Sequence, residues 1–427
     1  MIVNIKKGYE DIDVELNNVL DVLMPANLPS GLDEEALVKD SLNNPIGSDL
    51  LRNKVKKGDK ACIVTSDVTR PMPSWRVLPS VIEELEKGGV ERKDIFVIFA
   101  RGSHRNQSIE EHKHLMGKMY GTIDCFDSNS EDLVHLGYTS NHTPVDIDRR
   151  VVEADVRICL GNVEYHYFAG YSGGYKAIMP GVSSIEAITN NHRLMIDERS
   201  CAGNLEGNPV RMDIEEAGRI LGVDFIVNVV LNTKKEIIYV ASGDPIKAHR
   251  DACKYLDSIY LSYIDKRADI VLVSMGGAPK DLNLYQTQKA LDNAKHAVRD
   301  GGVVILVGAC DEGFGSALFE EWMLKYKNPD DMIAELHRNF RLGAHKATAI
   351  AMLRKRADIC FVSNMDKSLI DKTFLRYCVN IDEALEFAYE KLGRDASVIV
   401  MPYGGSTLPK IKFLISSKPY TQIDRIL

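Results

Sequence analysis

Short runs of β-branched and apolar residues alternate with amphipathic stretches over most of the 427 residues, and this alternation restricts the fold more than any other feature. Strand, helix and strand in succession are typical of a parallel sheet covered by helices, so we predict an α/β protein. At roughly 100–200 residues per domain, the length corresponds to two domains or three. A boundary within residues 265–268 would give an N-terminal domain of residues 1–265 and a C-terminal domain of residues 266–427.

The predicted elements fall into two series. In the first half they are a strand at 61–66, a helix at 74–87, a strand at 94–100, a helix from 108 to about 120, a strand at 155–160, a hairpin of 224–231 and 236–241, and a helix at 244–263. In the second half they are a strand at 269–274, a helix at 286–299, a strand at 303–307, helices through 316–354, and strands at 359–363 and 397–401. Ligands of open α/β sheets bind beyond the carboxyl ends of strands, so we expect the functional residues in strand-exit loops and an active-site cleft between the two domains.

Charge and composition exclude several classes of protein. Sixty-one acidic and 53 basic residues give a net charge of −8, and no basic block is present, which argues against a nucleic-acid or membrane-surface partner. The longest apolar runs, such as 303–307, are far shorter than the ~20 residues that span a bilayer. No apolar run follows the N-terminal lysines, so we expect a cytoplasmic protein. The eight cysteines show no C-x-x-C spacing, which favours reduced core thiols over a zinc knuckle.

The first two strand exits carry polar side chains. The first reads Asp67-Val68-Thr69-Arg70 before a proline, and the guanidinium of Arg70 suits planar recognition of an anion. An Asx-type turn with a surface arginine is the alternative. The second exit contains His104, which is a candidate general base near neutral pH or an ordinary packing residue.

The third exit, residues 161–176, is the richest segment of the chain. Its glycines would let the backbone approach a phosphate closely. Tyr175 and Ala177 flank Lys176, so the Gly-Lys-Ser/Thr sequence of a Walker A loop is missing and an NTPase is excluded.

Lys176 is a candidate for a covalently loaded lysine. In an apolar, glycine-rich loop an amine loses hydration, which lowers its pKa and makes it reactive. A phosphate-binding or surface lysine is the alternative. His166 in the same loop and His192 on the helix after it strengthen the first interpretation.

A carboxylate site is predicted in the second half. Gln286 and Lys289 lie one helical turn apart and face the same way, which suits a small carboxylate. A solvated helix start is the alternative.

Together these segments resemble the nickel-dependent lactate racemase family. The matching pieces follow the order and spacing of that family and span both halves of the chain: Asp67-Val68-Thr69-Arg70-Pro71, Gly102-Ser103-His104-Arg105, Glu164 to Lys176, Asn191-His192, and Tyr285-Gln286-Thr287-Gln288-Lys289. The fold implied by the resemblance, two domains with the active site between them, agrees with the pattern of strands and helices.

The resemblance implies a cofactor. It is the nickel-pincer nucleotide, nickel(II) pyridine-3,5-bisthiocarboxylic acid mononucleotide, linked to a lysine as a thioamide. Nickel is held by one carbon, two sulfurs and a histidine, a ligand set that suits nickel(II). Lys176 would carry the group, His192 would bind nickel, and the loop residues Asp67, Val68, Thr69 and Arg70 would contact the cofactor. Other proteins build this group, so cofactor-synthesis proteins are implied partners.

The resemblance also implies a reaction, inversion of the α-carbon of a 2-hydroxy acid by a racemase or epimerase, with lactate the leading candidate. His104 and His166 would be the acid/base pair, and Tyr285, Gln286 and Lys289 would bind the substrate. The C–H beside a carboxylate is too weakly acidic for an unaided imidazole, so the family's route moves the hydrogen as hydride to the cofactor. An ordinary pKa near 6.5 lets either imidazole give or take the hydroxyl proton.

Two segments depart from the family pattern. Tyr175 stands where the best-known member has a basic residue, which would alter contacts to the cofactor phosphate. The segment 343–349 offers small residues, including Thr348 and Ala349, where that member has a large aromatic, so longer or bulkier 2-hydroxy acids would fit, whereas Tyr285 keeps an apolar wall.

Two other functions are open. A non-catalytic 2-hydroxy-acid binding protein of the same fold would keep the cleft but not the chemistry. A Schiff-base enzyme at Lys176 is disfavoured, because no acidic partner for a pyridinium nitrogen is identified. A homo-oligomer is one arrangement that the sequence allows.

Overall fold

The computed structural model describes residues 1–26, 28–341 and 343–412. The chain divides into two compact units. Of the described residues, the larger unit contains those within 26–260 and 333–345, and the smaller unit contains residues 1–25, 261–332 and 346–412. The division into independent domains at residue 265 stays a prediction. In the structure the chain passes from the larger unit to the smaller unit at residue 261, and the first 25 residues belong to the smaller unit.

The strands of the described ranges are β1 (Ile2–Lys7), β2 (Glu10–Glu15), β3 (Val19–Val22), β4 (Ala61–Ser66), β5 (Ile95–Ala100), β6 (Asp124–Asp127), β7 (Leu133–Tyr138), β8 (Pro144–Asp148), β9 (Val156–Asn162), β10 (Tyr165–His166), β11 (Gly170–Tyr171), β12 (Phe225–Leu231), β13 (Ile237–Gly243), β14 (Leu261–Ile264), β15 (Ala268–Ser274), β16 (Val298–Val307), β17 (Asp358–Val362), β18 (Arg376–Cys378), β19 (Val398–Met401) and β20 (Leu408–Ile411).

The α-helices of the same ranges are α1 (Glu34–Asn43), α2 (Ser74–Lys87), α3 (Ile109–Met116), α4 (Arg149–Val152), α5 (Ile185–Arg193), α6 (Pro209–Leu221), α7 (Lys247–Tyr260), α8 (Leu284–Ala294), α9 (Ala317–Lys325), α10 (Pro329–Arg338), α11 (His345–Arg356), α12 (Lys367–Ile370) and α13 (Ile381–Leu392). No helix in these parts of the chain has the length and apolar composition needed to cross a bilayer.

The larger unit is built on a six-stranded sheet of order β13-β12-β9-β4-β5-β6. Strands β12, β9, β4, β5 and β6 run parallel, and β13 pairs antiparallel with β12 as the predicted hairpin. Helix α2 has the predicted bounds and buries Val77, Val81 and Leu85, residues at helical spacing, in the core of this sheet. The predicted α/β class is therefore confirmed.

The smaller unit is built on a second six-stranded sheet of order β18-β17-β16-β15-β19-β3, and its strand pairs are parallel. Its edge strand β3 comes from the first 25 residues and pairs with β19 near the other end of the chain. Sequence analysis did not predict β3, because its partner lies more than 370 residues away in sequence.

Three predicted helix ends were wrong. The helix predicted at 286–299 ends at Ala294, because the chain turns back and Val298 pairs with Ala268 as the start of β16. The helix predicted at 244–263 ends at Tyr260, since Leu261–Ile264 pairs with β20. The helix predicted from 108 to about 120 ends at Met116 and continues as a 3-10 turn.

The cysteines are free thiols, and six of the eight are buried, while Cys125 and Cys201 are half-buried. The prediction of core thiols is confirmed for the six.

Candidate active site

Three loops of the larger unit meet at one edge of its sheet. Residues 67–70 follow β4, His104 follows β5, and the long loop that ends at Lys176 follows β9. Strand β4 lies between β9 and β5 and is parallel to both, so the carboxyl ends of the three strands are adjacent. The strand order therefore brings together residues that are about 100 positions apart in sequence.

The first two loops are joined by a histidine–carboxylate pair. The Nδ1 atom of His104 lies 2.7 Å from Oδ2 of Asp67, and Asp67 is only 2% exposed. The Thr69 hydroxyl donates to the other carboxylate oxygen of Asp67 at 2.8 Å. Because a carboxylate can only accept, Nδ1 of His104 carries the ring proton and Nε2 is the acceptor of the neutral imidazole. Asp67 thus prepares His104 to take a proton through Nε2.

The backbone of the first loop is fixed by a second set of hydrogen bonds. The amide of Val68 donates to Oε1 of Gln107 at 2.7 Å, and Nε2 of Gln107 donates to Asp127 at 2.8 Å. The imidazole of His112 also contacts Asp127, with 2.9 Å between Nε2 and Oδ1. Gln107 therefore links the loop after β4 to the sheet edge at β6.

In His166 the ring proton lies on the other nitrogen, Nε2, whereas in His104 it lies on Nδ1. It lies on β10, which pairs with β11 so that His166 faces Gly170. The amide of Ala169 donates to Nδ1 of His166 at 3.3 Å, so a neutral ring carries its proton on Nε2. Burial, followed by the positive charges of Lys176 and Arg70, holds the pKa of His166 well below its ordinary value. His166 is therefore a neutral imidazole that donates through Nε2.

Helix α7 holds the β10–β11 hairpin in place. The carboxylate of Asp257 accepts hydrogen bonds from the Tyr165 hydroxyl at 2.8 Å and from the Tyr171 hydroxyl at 2.7 Å. Two turns earlier on α7, the Nε2 atom of His249 lies 2.9 Å from the Ser172 carbonyl oxygen. Helix α7 therefore bonds to both strands of the hairpin that carries His166 and to Ser172, the residue that follows the second strand.

Arg211 on α6 supports the same loop from the interior. It is fully buried, and its guanidinium donates to the carbonyl oxygens of Ala169, at 3.1 Å, and of Tyr171. Burial lowers its pKa to about 10. Sequence analysis missed Arg211, His249 and Asp257 because each is one polar residue in an ordinary amphipathic helix, with no motif around it.

Lys176 lies in a 3-10 turn, Gly174–Ala177, at the end of the third loop. The amide of Gly174 donates to Oδ1 of Asn228 on β12 at 2.9 Å, which fixes the turn against the sheet. Gly173 has a φ of 75°, and a Cβ there would meet the Asn228 side chain at 2.8 Å, so the turn requires glycine. Burial, then the charges of Arg211 and Arg70, hold the pKa of the Lys176 amine well below its ordinary value. At a given pH such an amine is more often neutral, and therefore more nucleophilic, than a lysine with the ordinary pKa.

His192 has an imidazole nitrogen that lacks a protein partner. It lies in the last turn of α5, and its Nδ1 atom is buried with no hydrogen bond to any described residue. Burial, then the neighbouring His345 and Lys176, lower the pKa of His192 to about 3. The described residues contain no group of three or more His, Cys, Asp or Glu side chains that could hold a metal. A metal bound by His192 would therefore need its other ligands from a bound group, and a neutral amine at Lys176 fits the attachment of such a group.

Tyr175, the residue before that lysine, is a packing residue. It is 6% exposed, and its ring covers Gly218 of α6 so closely that a Cβ on Gly218 would lie 2.0 Å from the ring. Burial raises the pKa of its hydroxyl to about 12. The ring of Tyr175 therefore lies against α6, and the altered contacts to a cofactor phosphate that its position predicts stay a prediction.

The remaining predicted residues belong to the smaller unit. Tyr285, Gln286 and Lys289 lie on α8, whose N-cap Asn283 accepts a hydrogen bond from the Gln286 amide at 3.1 Å. The prediction that Gln286 and Lys289 share one helix is confirmed, and their role in substrate binding stays a prediction. The ammonium of Lys346 lies 3.7 Å from the centre of the Tyr285 ring, so one face of that ring is covered by a charge. Of the two small residues noted above, Thr348 is fully buried and Ala349 half-buried.

Comparison with known proteins gives consistent matches over most of the chain. Residues 5–203 match the model of the lactate racemase N-terminal domain, and residues 264–408 match that of the lactate racemase C-terminal domain. A lactate racemase of Thermoanaerobacterium thermosaccharolyticum is 31% identical over 392 residues, 89% of this chain and 92% of the relative. A lactate racemase of Lactiplantibacillus plantarum is 30% identical over 405 residues, 91% of this chain and 94% of the relative.

Solved structures agree. The structure of the lactate racemase apoprotein from T. thermosaccharolyticum has a TM-score of 0.85 at 29% identity and covers 96% of this chain and 100% of that one. A structural-genomics protein from Thermotoga maritima shares the fold, with a TM-score of 0.61 at 19% identity over 88% of this chain and 98% of its own.

Proposed function

The chain belongs to the lactate racemase family of isomerases, and from this premise we propose that it inverts the α-carbon of a 2-hydroxy acid, with lactate as the leading candidate. The observation that carries this proposal is the complementary state of two histidines, His104 with an accepting Nε2 and His166 with a donating Nε2. Inversion through a planar 2-keto acid needs one group that takes the hydroxyl proton and another that returns a proton.

The residues present fit the cofactor of this family. We propose that Lys176 carries the nickel-pincer nucleotide as a thioamide, that His192 is the protein ligand of nickel, and that the loop of Asp67, Val68, Thr69 and Arg70 contacts the group. The unpartnered Nδ1 of His192 and the lowered pKa of Lys176 support this assignment. When bound, the group would supply an acceptor for the α-hydrogen as hydride, which the imidazoles cannot provide.

The protein side of the reaction is proton transfer and orientation. His104, whose tautomer is set by Asp67, would take the hydroxyl proton of one enantiomer through Nε2. His166 would give its Nε2 proton to the oxygen of the product enantiomer, and the two exchange roles in the reverse direction. Gln286 and Lys289, with Tyr285 beside them, would hold the substrate carboxylate.

One further proposal follows from the family. Because other proteins build the pincer nucleotide, the chain depends on cofactor-synthesis partners for its activity. The cleft between two domains, the cytoplasmic location and a homo-oligomeric state stay predictions.

The test is a pair of measurements on protein from a host that makes the cofactor. We expect a mass increase on the peptide that contains Lys176 and interconversion of D- and L-lactate followed by polarimetry, and both should be lost in Lys176→Ala. Racemisation that survives Lys176→Ala would overturn the cofactor assignment.

The same preparation separates the alternatives. A non-catalytic binding protein would bind a 2-hydroxy acid in its metallated form without exchanging the α-hydrogen. A Schiff-base enzyme would be trapped at Lys176 by borohydride, whereas a thioamide would not.

A further inference from the structure

Lys346 is a buried lysine of α11 that contacts Tyr285, one of the predicted substrate-binding residues of the smaller unit. It is 7% exposed and lies in the first turn of α11. Its Nζ atom donates to the carbonyl oxygen of Tyr285 at 2.9 Å and lies 3.7 Å from the centre of the Tyr285 ring. These two contacts hold a positive charge against the first turn of α8.

A second ammonium shares this face of α8. Lys289 is four residues after Tyr285, so the two side chains are neighbours on the helix surface. Burial and then Lys289 lower the pKa of Lys346 to about 7, while Asp292 raises it. Asp292 already accepts a hydrogen bond from Gln288 at 2.6 Å and lies 3.5 Å from the ammonium of Lys295. The positive charge of Lys289 thus disfavours the charged form of Lys346, and an anion bound beside the two lysines would favour it.

We propose that Lys346, together with Lys289, binds a second carboxylate, so that the substrate class is a 2-hydroxy acid whose side chain ends in a carboxylate. The inference rests on the proposed function, which assigns Gln286 and Lys289 to the carboxylate of the reacting carbon. A monocarboxylate brings one negative charge to two ammonium groups, whereas a dicarboxylate brings two. The ammonium of Lys346, which lies against one face of the Tyr285 ring, favours a neighbouring anionic group over a methyl group.

The experiment compares two acids with the same four-carbon skeleton. Malate and 2-hydroxybutyrate differ only in a carboxylate in place of a methyl group. Titration calorimetry on the full-length protein, with and without cofactor, should show tighter binding of malate. Lys346→Met should weaken malate binding by about 10-fold to 100-fold, the usual range for one lost charge-assisted hydrogen bond, and leave 2-hydroxybutyrate within about 3-fold.

Proton uptake on malate binding distinguishes a lysine that binds the second carboxylate from a lysine with a purely structural role, which would cause no uptake. With a pKa of about 7, Lys346 is about half protonated at pH 7, and a bound carboxylate completes its protonation. Malate binding to the wild type should therefore take up about half a proton at pH 7, measured in buffers of different ionisation enthalpy. The uptake should vanish in Lys346→Met.

Two variants provide the controls. Lys346→Gln keeps a donor for the Tyr285 carbonyl and gives the same comparison if the Met variant does not fold. Lys325→Met removes an exposed lysine whose ammonium lies 5.1 Å from the ring of Tyr326, and it should change neither affinity.

Two results would overturn the inference. One is that the wild type binds malate and 2-hydroxybutyrate with equal affinity. The other is that the Lys346 variants lose affinity equally for both acids, which would place Lys346 on the carboxylate that the two acids share.

Failure of the proposed function would give a different result. If the loaded enzyme inverts neither acid while the malate preference still depends on Lys346, the proposed reaction fails and the anion site stands. If lactate is inverted and no malate preference exists, the reaction stands and the anion site fails.

Discussion

The imidazole of His104 and the carboxylate of Asp67 are 2.7 Å apart, and the carboxylate is almost completely buried while the imidazole is partly open to solvent. The two residues leave neighbouring parallel strands, β5 and β4, at the same edge of the sheet. This pair fixes which nitrogen of His104 faces outward as a base, and it is the basis of the first prediction.

Asp67→Asn should lower the turnover of the cofactor-loaded enzyme by about 10²-fold to 10⁴-fold, because an amide no longer holds the proton on Nδ1. Polarimetry on a 2-hydroxy acid measures this, and KM should change little. The control is His135→Asn, which removes an imidazole with the same 2.7 Å bond to a carboxylate, that of Asp146, outside the site. Full activity of Asp67→Asn would show that the pair is structural only.

Asp257→Asn should lower turnover by about 10-fold to 100-fold, since the amide has one acceptor oxygen and no charge, so that the hydrogen bonds from the Tyr165 and Tyr171 hydroxyls weaken and the position of His166 is less fixed. Asp251→Asn is the matched control, because Asp251 lies on the same helix and accepts the hydroxyl of Tyr239 on β13, away from His166. Steady-state kinetics of both variants provide the comparison. Equal losses of turnover in the two variants would mean that Asp257 contributes to the stability of α7 and not to the position of His166.

Lys176 in cofactor-free protein should react with a small acylating reagent such as acetic anhydride at pH 7, faster than the exposed Lys57, because its lowered pKa increases the fraction of the amine that is neutral. Peptide mass spectrometry over a range of pH gives the rates. In Arg70→Met one of the positive charges that lowers this pKa is lost, so acetylation of Lys176 at pH 7 should slow. A Lys176 that reacts only in strongly alkaline solution would contradict the assignment.

Gly218→Ala should destabilise the larger unit by about 1–3 kcal/mol, because the new methyl group would occupy the space of the Tyr175 ring. Denaturant unfolding measures the loss. Tyr175→Phe keeps the ring and should cost much less. If Gly218→Ala is as stable as the wild type, the ring of Tyr175 does not pack there in solution.

His296 should make the protein sensitive to acid. Burial, aided by Lys295 and other nearby positive charges, lowers its pKa to about 3, so the unfolded chain takes up a proton below pH 6.5 that the folded chain does not. Stability is then unaffected above pH 6.5 and falls as the pH decreases towards 3, with a loss of roughly 2 kcal/mol by pH 5 from this group. His296→Leu should flatten the pH dependence of the unfolding free energy, whereas His142→Asn, at an exposed position, should not.

The sequence predicted those helices and strands whose ends are determined by residues close to them in the chain. Helix α2 has the predicted bounds because both signals are local: its apolar residues recur at helical spacing, and Gly88 directly after it is the C-cap. The edge strand β3 and the strand β14 depend on partners near the other end of the chain, β19 and β20, which no local pattern shows.

The same division holds for the candidate site. His104, His166, Lys176 and His192 could be named as candidates because the segments around them carry recognisable sequences. Asp257 and Arg211, which fasten the loop that carries His166, were not predicted, because their importance comes from contacts made only in the folded protein.

The pairing of β3 with β19 has a consequence for synthesis on the ribosome. At 5–20 residues per second, the chain needs about 20–80 s to reach residue 400 after residue 22 has been made. The polypeptide for the larger unit is complete well before that point, whereas Val19–Val22 must wait as an unpaired edge until Val398–Met401 has emerged. A nascent chain stalled between these points would expose an N-terminal segment that proteases and chaperones can reach.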